Sequence, residues 1–224
     1  MSIMAPAALA RRTEGECLLS TLVWRFASPV TCVSTAAVGG GLAEPLWLVN
    51  AQVPHGYRRT DLAQHGEQIA TALDLSGPGV VMLTAVDVRH RETVTVEDVT
   101  VTATVGVSDP VWAADLSVDP TCTATPVAGT INLVVQLPVR LTPAAMVNLV
   151  ATVTEAKCQA LADADVPGTG TPSDAVAVVC PPGAGQLSLF GGPRSATGRP
   201  AAIATYRAIT AALRSGSAAG ATPC

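Results

Sequence analysis

The chain has 224 residues, a length that suits one compact domain and is short for two. Apolar residues make up 49% and aromatics only 3%, so Val, Leu, Ile and Ala must fill the core by close packing. The net charge is -4 and the arginines fall in scattered pairs, such as Arg11-Arg12, Arg58-Arg59 and Arg89-Arg91. Without a basic stripe and interleaved aromatics, a nucleic-acid binder is not indicated.

In chain order, the opening MSIMAPAALARR is briefly apolar, but its arginines follow the apolar part, the reverse of a secretory signal. No apolar run approaches the roughly 20 residues of a membrane helix. A cytoplasmic protein with a flexible segment 1–16 is expected. Residues 17–27 and 30–38, rich in Val, Leu and Thr, read as a strand pair parted by Ser28-Pro29. Gly39-Gly40-Gly41 breaks the pattern, residues 46–49 form a third apolar run, and Pro54, Gly56 and Tyr57 mark a loop. Asp61 is placed to cap a helix running to about residue 73, with Leu62, Ile69 and Leu73 on one face. His65 borders that face and reads as structural.

After Gly77-Pro78-Gly79, residues 80–88 read as a strand buried on both faces. Val99, Val101, Ala103, Val105 and Val107 alternate with threonines, the pattern of a half-buried strand. Val94 and Val96 are out of phase with it, which puts a turn or bulge near Glu97-Asp98. Residues 108–128 form a Pro-, Asp- and Thr-rich excursion. Residues 131–137 are another buried strand. Thr142-Pro143 is a clean helix start, and the helix runs to about residue 162. Met146, Leu149, Val150, Val153 and Ala160 form its apolar face; Asn148, Thr152, Glu155 and Gln159 form the opposite one. A Gly/Thr loop at 167–173, a strand at 175–179, a Gly/Pro loop at 181–200 and an Ala-rich helix at 200–213 follow. The tail 215–224 is expected to be disordered. The reading is an α+β fold: one compact domain over 17–214, with mixed β-sheet packed against helices.

The six cysteines, at 17, 32, 122, 158, 180 and 224, show no C-x-x-C pair, and reduced, buried thiols are expected. The three histidines make no H-E-x-x-H, so a zinc hydrolase is not indicated. There is no P-loop, no G-x-G-x-x-G and no G-x-S-x-G nucleophile elbow.

The strongest local signal is the strand–helix–loop run ending in Gly168-Thr169-Gly170-Thr171-Pro172-Ser173-Asp174. Its glycines let backbone N–H groups approach a ligand, and Thr171, Ser173 and Asp174 add polar groups. An ordinary tight loop explains the same residues. Glu155 sits alone in an uncharged helical stripe, as a base or merely on a solvated face. Lys157 lies nearer the apolar side and is placed to snorkel or to pair with a sheet carboxylate. Gly39, Gly40 and Gly41, beside Ser34, Thr35 and Asn50, form either a ligand-facing loop or a plain turn. His55, in a polar loop, is a catalytic candidate.

Eight segments in order carry a resemblance. They are Ser34-Thr35-Ala36 with Gly39-Gly40-Gly41; Leu48-Val49-Asn50-Ala51-Gln52-Val53-Pro54 with Tyr57; Leu83-Thr84-Ala85 with Asp87; and Thr104-Val105-Gly106. Then come Gly129-Thr130-Ile131-Asn132, the run Thr154-Glu155-Ala156-Lys157-Cys158-Gln159-Ala160-Leu161, Gly170-Thr171 with Ser173-Asp174-Ala175, and Gly191-Gly192-Pro193. Together they resemble the adenosylcobinamide amidohydrolases across about residues 20–200. Where the family tends to show Gly-Thr-x-Thr-Asp-Ala, this chain has Ser173, hydroxyl for hydroxyl; Thr35 stands likewise for a family serine.

The resemblance implies hydrolysis of adenosylcobinamide to adenosylcobyric acid and aminopropanol, in corrinoid salvage. The implied partner is a corrinoid small molecule, whose cobalt belongs to the substrate. No cofactor, metal site, nucleic acid or membrane is expected, and a homo-oligomer is compatible with this. Amide hydrolysis needs a base or nucleophile, an oxyanion donor and an acid. Glu155 or Asp174 is the expected base. Loop amides with Asn132 or Asn50 are the expected oxyanion donors, and Lys157 or His55 the acid. Ser34, Gly39, Gly40, Gly41, Asn50, Asn132, Gly170, Thr171 and Ser173 are expected to bind substrate. Covalent attack by Ser34, Thr171 or Ser173 is the competing mechanism. The alternatives in other classes are a corrinoid-binding module without catalysis and an N-terminal-nucleophile hydrolase that cleaves itself before a Ser or Thr.

Overall fold

The computed structural model describes residues 6–116, 129–183 and 187–216. Cys122, Cys224, most of the excursion expected at 108–128 and nearly all of the tail expected at 215–224 lie outside the described residues.

Two sheets form. The first orders β1 (Ala8–Glu14), β2 (Cys17–Arg25), β5 (Trp47–Gln52) and β6 (Gly79–Thr84). The second orders β4 (Gly41–Ala43), β3 (Thr31–Ser34), β10 (Ala175–Cys180), β9 (Ile131–Gln136), β8 (Val99–Val105) and β7 (Glu92–Val96). Each sheet has one parallel pair, β5–β6 in the first and β9–β10 in the second; every other pair is antiparallel. Parallel neighbours need a long return, and each pair has a helix for it. Helix α1 (Leu62–Ala72) joins β5 to β6, and α2 (Pro143–Ala162) joins β9 to β10. Helix α3 (Gly198–Arg214) packs beside α2 on the second sheet.

The apolar side chains sort into three clusters that fix a helix–sheet–sheet–helix order. Leu22, Trp24, Cys32, Leu48, Met82, Val134 and Val179 fill the layer between the sheets. The outward-facing Val23, Val49 and Val81 of the first sheet meet Ile69 of α1. The outward-facing Val101, Leu133 and Val178 of the second meet Met146, Leu149 and Val153 of α2 and Ala204 and Ala208 of α3. Strand periodicity explains the division, because alternate residues of β5, β6, β9 and β10 enter different layers. Burying each large side chain contributes about 1.5–3 kcal/mol. The alanines of α3 let helix and sheet approach closely in a core poor in aromatics.

Several expectations change. Residues 8–14, within the segment expected to be flexible, form β1, an edge strand in full antiparallel register with β2. Strands β2 and β3 do not pair; the chain crosses between sheets around Pro29, since each strand buries a face against the other's sheet. The run 80–88 is strand only to Thr84, because Asp87 accepts a hydrogen bond from the amide of Arg89 and starts a short 3-10 turn. Asp61 makes no side-chain cap to α1; both its oxygens are taken by Arg59. Thr152, placed on the polar face of α2, is buried and donates to the carbonyl of Gly191 at 3.0 Å. Cys32 and Cys180 are buried free thiols, and burial pushes the Cys32 thiol up to about 12. Cys158 is free and half-buried, whereas Cys17 is disulfide-bonded, against the expectation of reduced thiols.

Other local expectations match. Thr142 accepts the Ala145 amide at 3.2 Å, with Pro143 in the first turn of α2. Glu97, at φ 52°, turns the β7–β8 hairpin, and the Thr95 and Thr100 hydroxyls meet across it at 2.9 Å.

Candidate active site

At one end of the sandwich the carboxyl ends of β3, β5 and β6 face the amino ends of β9 and β10. Between them opens a cleft of about 470 Å³. Its polar lining is Thr35, His55, Tyr57, Thr84, Thr130, Ser173 and Asp174. Five segments distant in sequence converge here because the two parallel pairs present opposite ends at the same place.

One wall is a closed ionic cluster. Both oxygens of Asp174 are engaged: Oδ1 accepts the Ile131 amide at 2.9 Å and the Thr171 hydroxyl at 2.5 Å. Oδ2 accepts the Thr171 amide at 3.1 Å and pairs with the ammonium of Lys157. Lys157 is 7% exposed and reaches the loop from α2. Gly170 lies against this pair, where a Cβ would strike both Asp174 Oδ2 and Lys157 Nζ. The glycine is thus required by close approach. The cluster ties the loop at 170–174 to the start of β9. Beside it, the hydroxyls of Thr130 and Ser173 meet at 2.8 Å.

On the other side Tyr57 lines the cleft, and behind it runs a chain of side chains from three elements. Tyr57 Oη lies 2.7 Å from His65 Nδ1, and the rings stack at 5.2 Å. His65 Nε2 lies 3.0 Å from Glu14 Oε2, which accepts Arg12 Nη1 at 2.7 Å. Arg12 also donates to the carbonyl of Gln52, at the end of β5. Burial lowers the Arg12 pKa, and Glu14 opposes that; burial likewise raises the Tyr57 phenol. The sequence hid this chain, since Glu14 falls in a segment expected to be flexible and His65 reads as an ordinary helix-face residue. The available signal was Tyr57 in a polar loop eight residues before a histidine on a helix face.

The remaining expected residues distribute as follows. His55 is exposed and lines the cleft, as do Ser173 and Asp174. Ser34 is buried beside it, donating to the Val176 carbonyl and accepting the Ala36 amide, both at 3.0 Å. Asn132 donates to Asn50 Oδ1 at 2.9 Å and to the carbonyl of cleft-lining Leu83 at 3.0 Å. Asn50 donates to Thr104 at 2.8 Å, so the asparagines cross-link the two sheets. Asn132 Oδ1 is buried and unpartnered among the described residues. Gly39, Gly40 and Gly41 turn the chain from β3 into β4 outside the cleft lining; a Cβ on Gly39 would strike the Gly79 carbonyl. Glu155 is exposed on α2 and does not line the cleft. A larger hollow of about 720 Å³ lies between the carboxyl ends of α2 and α3, but its Tyr206 is tied to Asp163 at 2.9 Å. We favour the smaller cleft, where five of the eight segments that carry the resemblance meet. Among the described residues no group of three or more metal-ligating side chains occurs, and no helix is long and apolar enough to cross a membrane.

Comparison with known proteins agrees with the resemblance. The chain belongs to the adenosylcobinamide amidohydrolase family, whose sequence model matches residues 6–221. A curated relative from Halobacterium salinarum, described as an adenosylcobinamide amidohydrolase, is 39% identical over 145 residues. That match covers 62% of this chain and 60% of the relative, so the chain spans about three-fifths of that protein's length. Among solved structures, the PH0078 protein from Pyrococcus horikoshii superposes with a TM-score of 0.46 at 11% identity, over 94% of this chain and 82% of that one. A Burkholderia sp. beta-aminopeptidase superposes with a TM-score of 0.45 at 14% identity, with the same coverage. Both are loose overall likenesses.

Proposed function

We propose that this protein hydrolyses adenosylcobinamide at the amide between the corrin side chain and aminopropanol, releasing adenosylcobyric acid. The observation that carries the reading is convergence: the segments around Thr35, Pro54, Thr84, Thr130 and Ser173, which the family resemblance rests on, line one cleft. A volume of about 470 Å³ suits a ligand of modest size. It admits the aminopropanol arm and the amide, while the corrin ring rests against the rim. Hydroxyls of Thr130 and Ser173 offer donors to the developing oxyanion. His55, at the rim, is placed to exchange protons with the departing amine. Asp174 and Lys157 act by holding the loop, since the oxygens of Asp174 are already occupied.

The test is a mass-spectrometric assay with adenosylcobinamide, with and without chelator. Equal formation of adenosylcobyric acid and aminopropanol in both arms is expected. Tight corrinoid binding without product would replace hydrolysis with a binding role. Product lost with chelator would overturn the metal-free form of the reading.

A further inference from the structure

We propose that Tyr57, His65 and Glu14 form a proton relay that activates the attacking water, with Tyr57 the group that meets it in the cleft. His65 and Glu14 are positioning residues that act through Tyr57. The proposal rests on the amidohydrolase reading and adds to it the base that Asp174, fully engaged, and Glu155, outside the cleft, do not supply.

The direction of the relay follows from acceptor chemistry. A carboxylate only accepts, so the His65 nitrogen facing Glu14 at 3.0 Å carries hydrogen. In a neutral ring the other nitrogen then accepts, and the Tyr57 hydroxyl 2.7 Å away donates to it. The phenolic proton thus points to His65, and the oxygen lone pairs remain for the cleft. The arrangement is held at each link. The Tyr57 amide bonds the Pro54 carbonyl at 3.0 Å, the rings stack, and His65 is 1% exposed. Arg12 anchors Glu14 to the end of β5. The other charges near Tyr57 are Arg59 and Asp61, which pair with each other. Burial raises the phenol, which keeps its proton in place at rest.

The proton count closes. As water attacks the amide carbon, its proton passes to the Tyr57 oxygen while the Tyr57 proton passes to His65 Nδ1. The imidazolium is stabilised by Glu14. When the C–N bond breaks, the proton returns through the Tyr57 oxygen and His55, on the same cleft, hands it to the amine nitrogen. One water is consumed, and one acid and one amine are formed. The same division of labour among an oxygen, an imidazole and a carboxylate serves other hydrolases.

Two measurements test this together. Tyr57→Phe keeps the ring stack and removes only the hydroxyl. It should lower kcat about 100-fold or more, with KM within about twofold. Glu14→Gln should lower kcat less, because it leaves Tyr57 and His65 in place and removes only the carboxylate that backs the ring. Independently of turnover, nitrogen NMR of the His65 ring, assigned against His65→Gln, should show hydrogen on Nε2 and a shifted Nδ1 in Tyr57→Phe. Full kcat in Tyr57→Phe across the pH range, or hydrogen on Nδ1 with Nε2 bare, would overturn the relay. Wild-type protein that shows the expected ring state but releases no aminopropanol would sink the amidohydrolase reading, and with it the relay's part in that reaction.

Discussion

Of two carboxylates, Asp174 lines the cleft and Glu14 lies behind Tyr57, and they differ in what their partners leave free. Asp174 is saturated: two amides, a hydroxyl and an ammonium occupy its oxygens. Glu14 ends a chain that runs through the His65 imidazole to Tyr57, which lines the cleft. A half-buried carboxylate with every lone pair engaged fixes geometry; one that backs an imidazole can follow a moving proton. Sequence alone offers Asp174, beside a glycine loop, or Glu155, on the helix before it, as the base. The structure shows the oxygens of Asp174 engaged by Thr171, Ile131 and Lys157 and a second network behind Tyr57.

The largest effect should come from opening the saturated cluster. Lys157→Ala leaves Asp174 with an unneutralised charge near the core and should cost about 3–5 kcal/mol in chemical unfolding. A loss under about 1 kcal/mol would show the cluster to be solvated rather than closed. His55→Ala should do the reverse, lowering kcat on the order of 100-fold with an unchanged unfolding midpoint, because His55 is exposed. Equal turnover would remove it from the chemistry. Gly170→Ala drives a methyl into Asp174 and Lys157. It should cost about 1–3 kcal/mol and lower activity in parallel, since the loop carries Ser173. Full stability would mean that the loop relaxes without loosening the pair.

The smallest effect concerns Asp87, remote from both networks. The hydrogen bond from Arg89 lowers its pKa, so its folded value lies below its unfolded one. Its contribution is therefore complete above the unfolded carboxylate range and is lost as pH falls through the depressed folded value. Asp87→Asn should cost on the order of 1 kcal/mol near neutral pH, and the gap to wild type should shrink as pH falls through the acid range. A gap that is constant with pH would assign the loss to packing at this buried position.

Local chemistry was legible wherever the signal was local. Thr142-Pro143 opens α2, Val99–Val105 forms a strand, and Glu97 turns the hairpin, all because the responsible atoms lie within a few residues. The strand is not half-buried as its alternation suggests: Thr102 and Thr104 are buried too, because both of its faces are covered. Lys157 met a carboxylate, one of two outcomes its place on the helix allowed. By contrast, Asp61 reads as a cap but is taken by Arg59, and the polar Thr152 is buried under Gly191, because a neighbour outside the helix wins each side chain.

The sequence by itself determined the family and most of the strands and helices, since periodicity, caps and ordered motifs are written along the chain. Only the tertiary structure decided the pairing of strands and the partner of each charge. Cys17–Arg25 and Thr31–Ser34 look like a hairpin until burial sends each to a different sheet. Glu14, Tyr57 and His65 become one unit only when an edge strand, a loop and a helix meet, contacts of 51 and 8 residues in separation that no local pattern encodes.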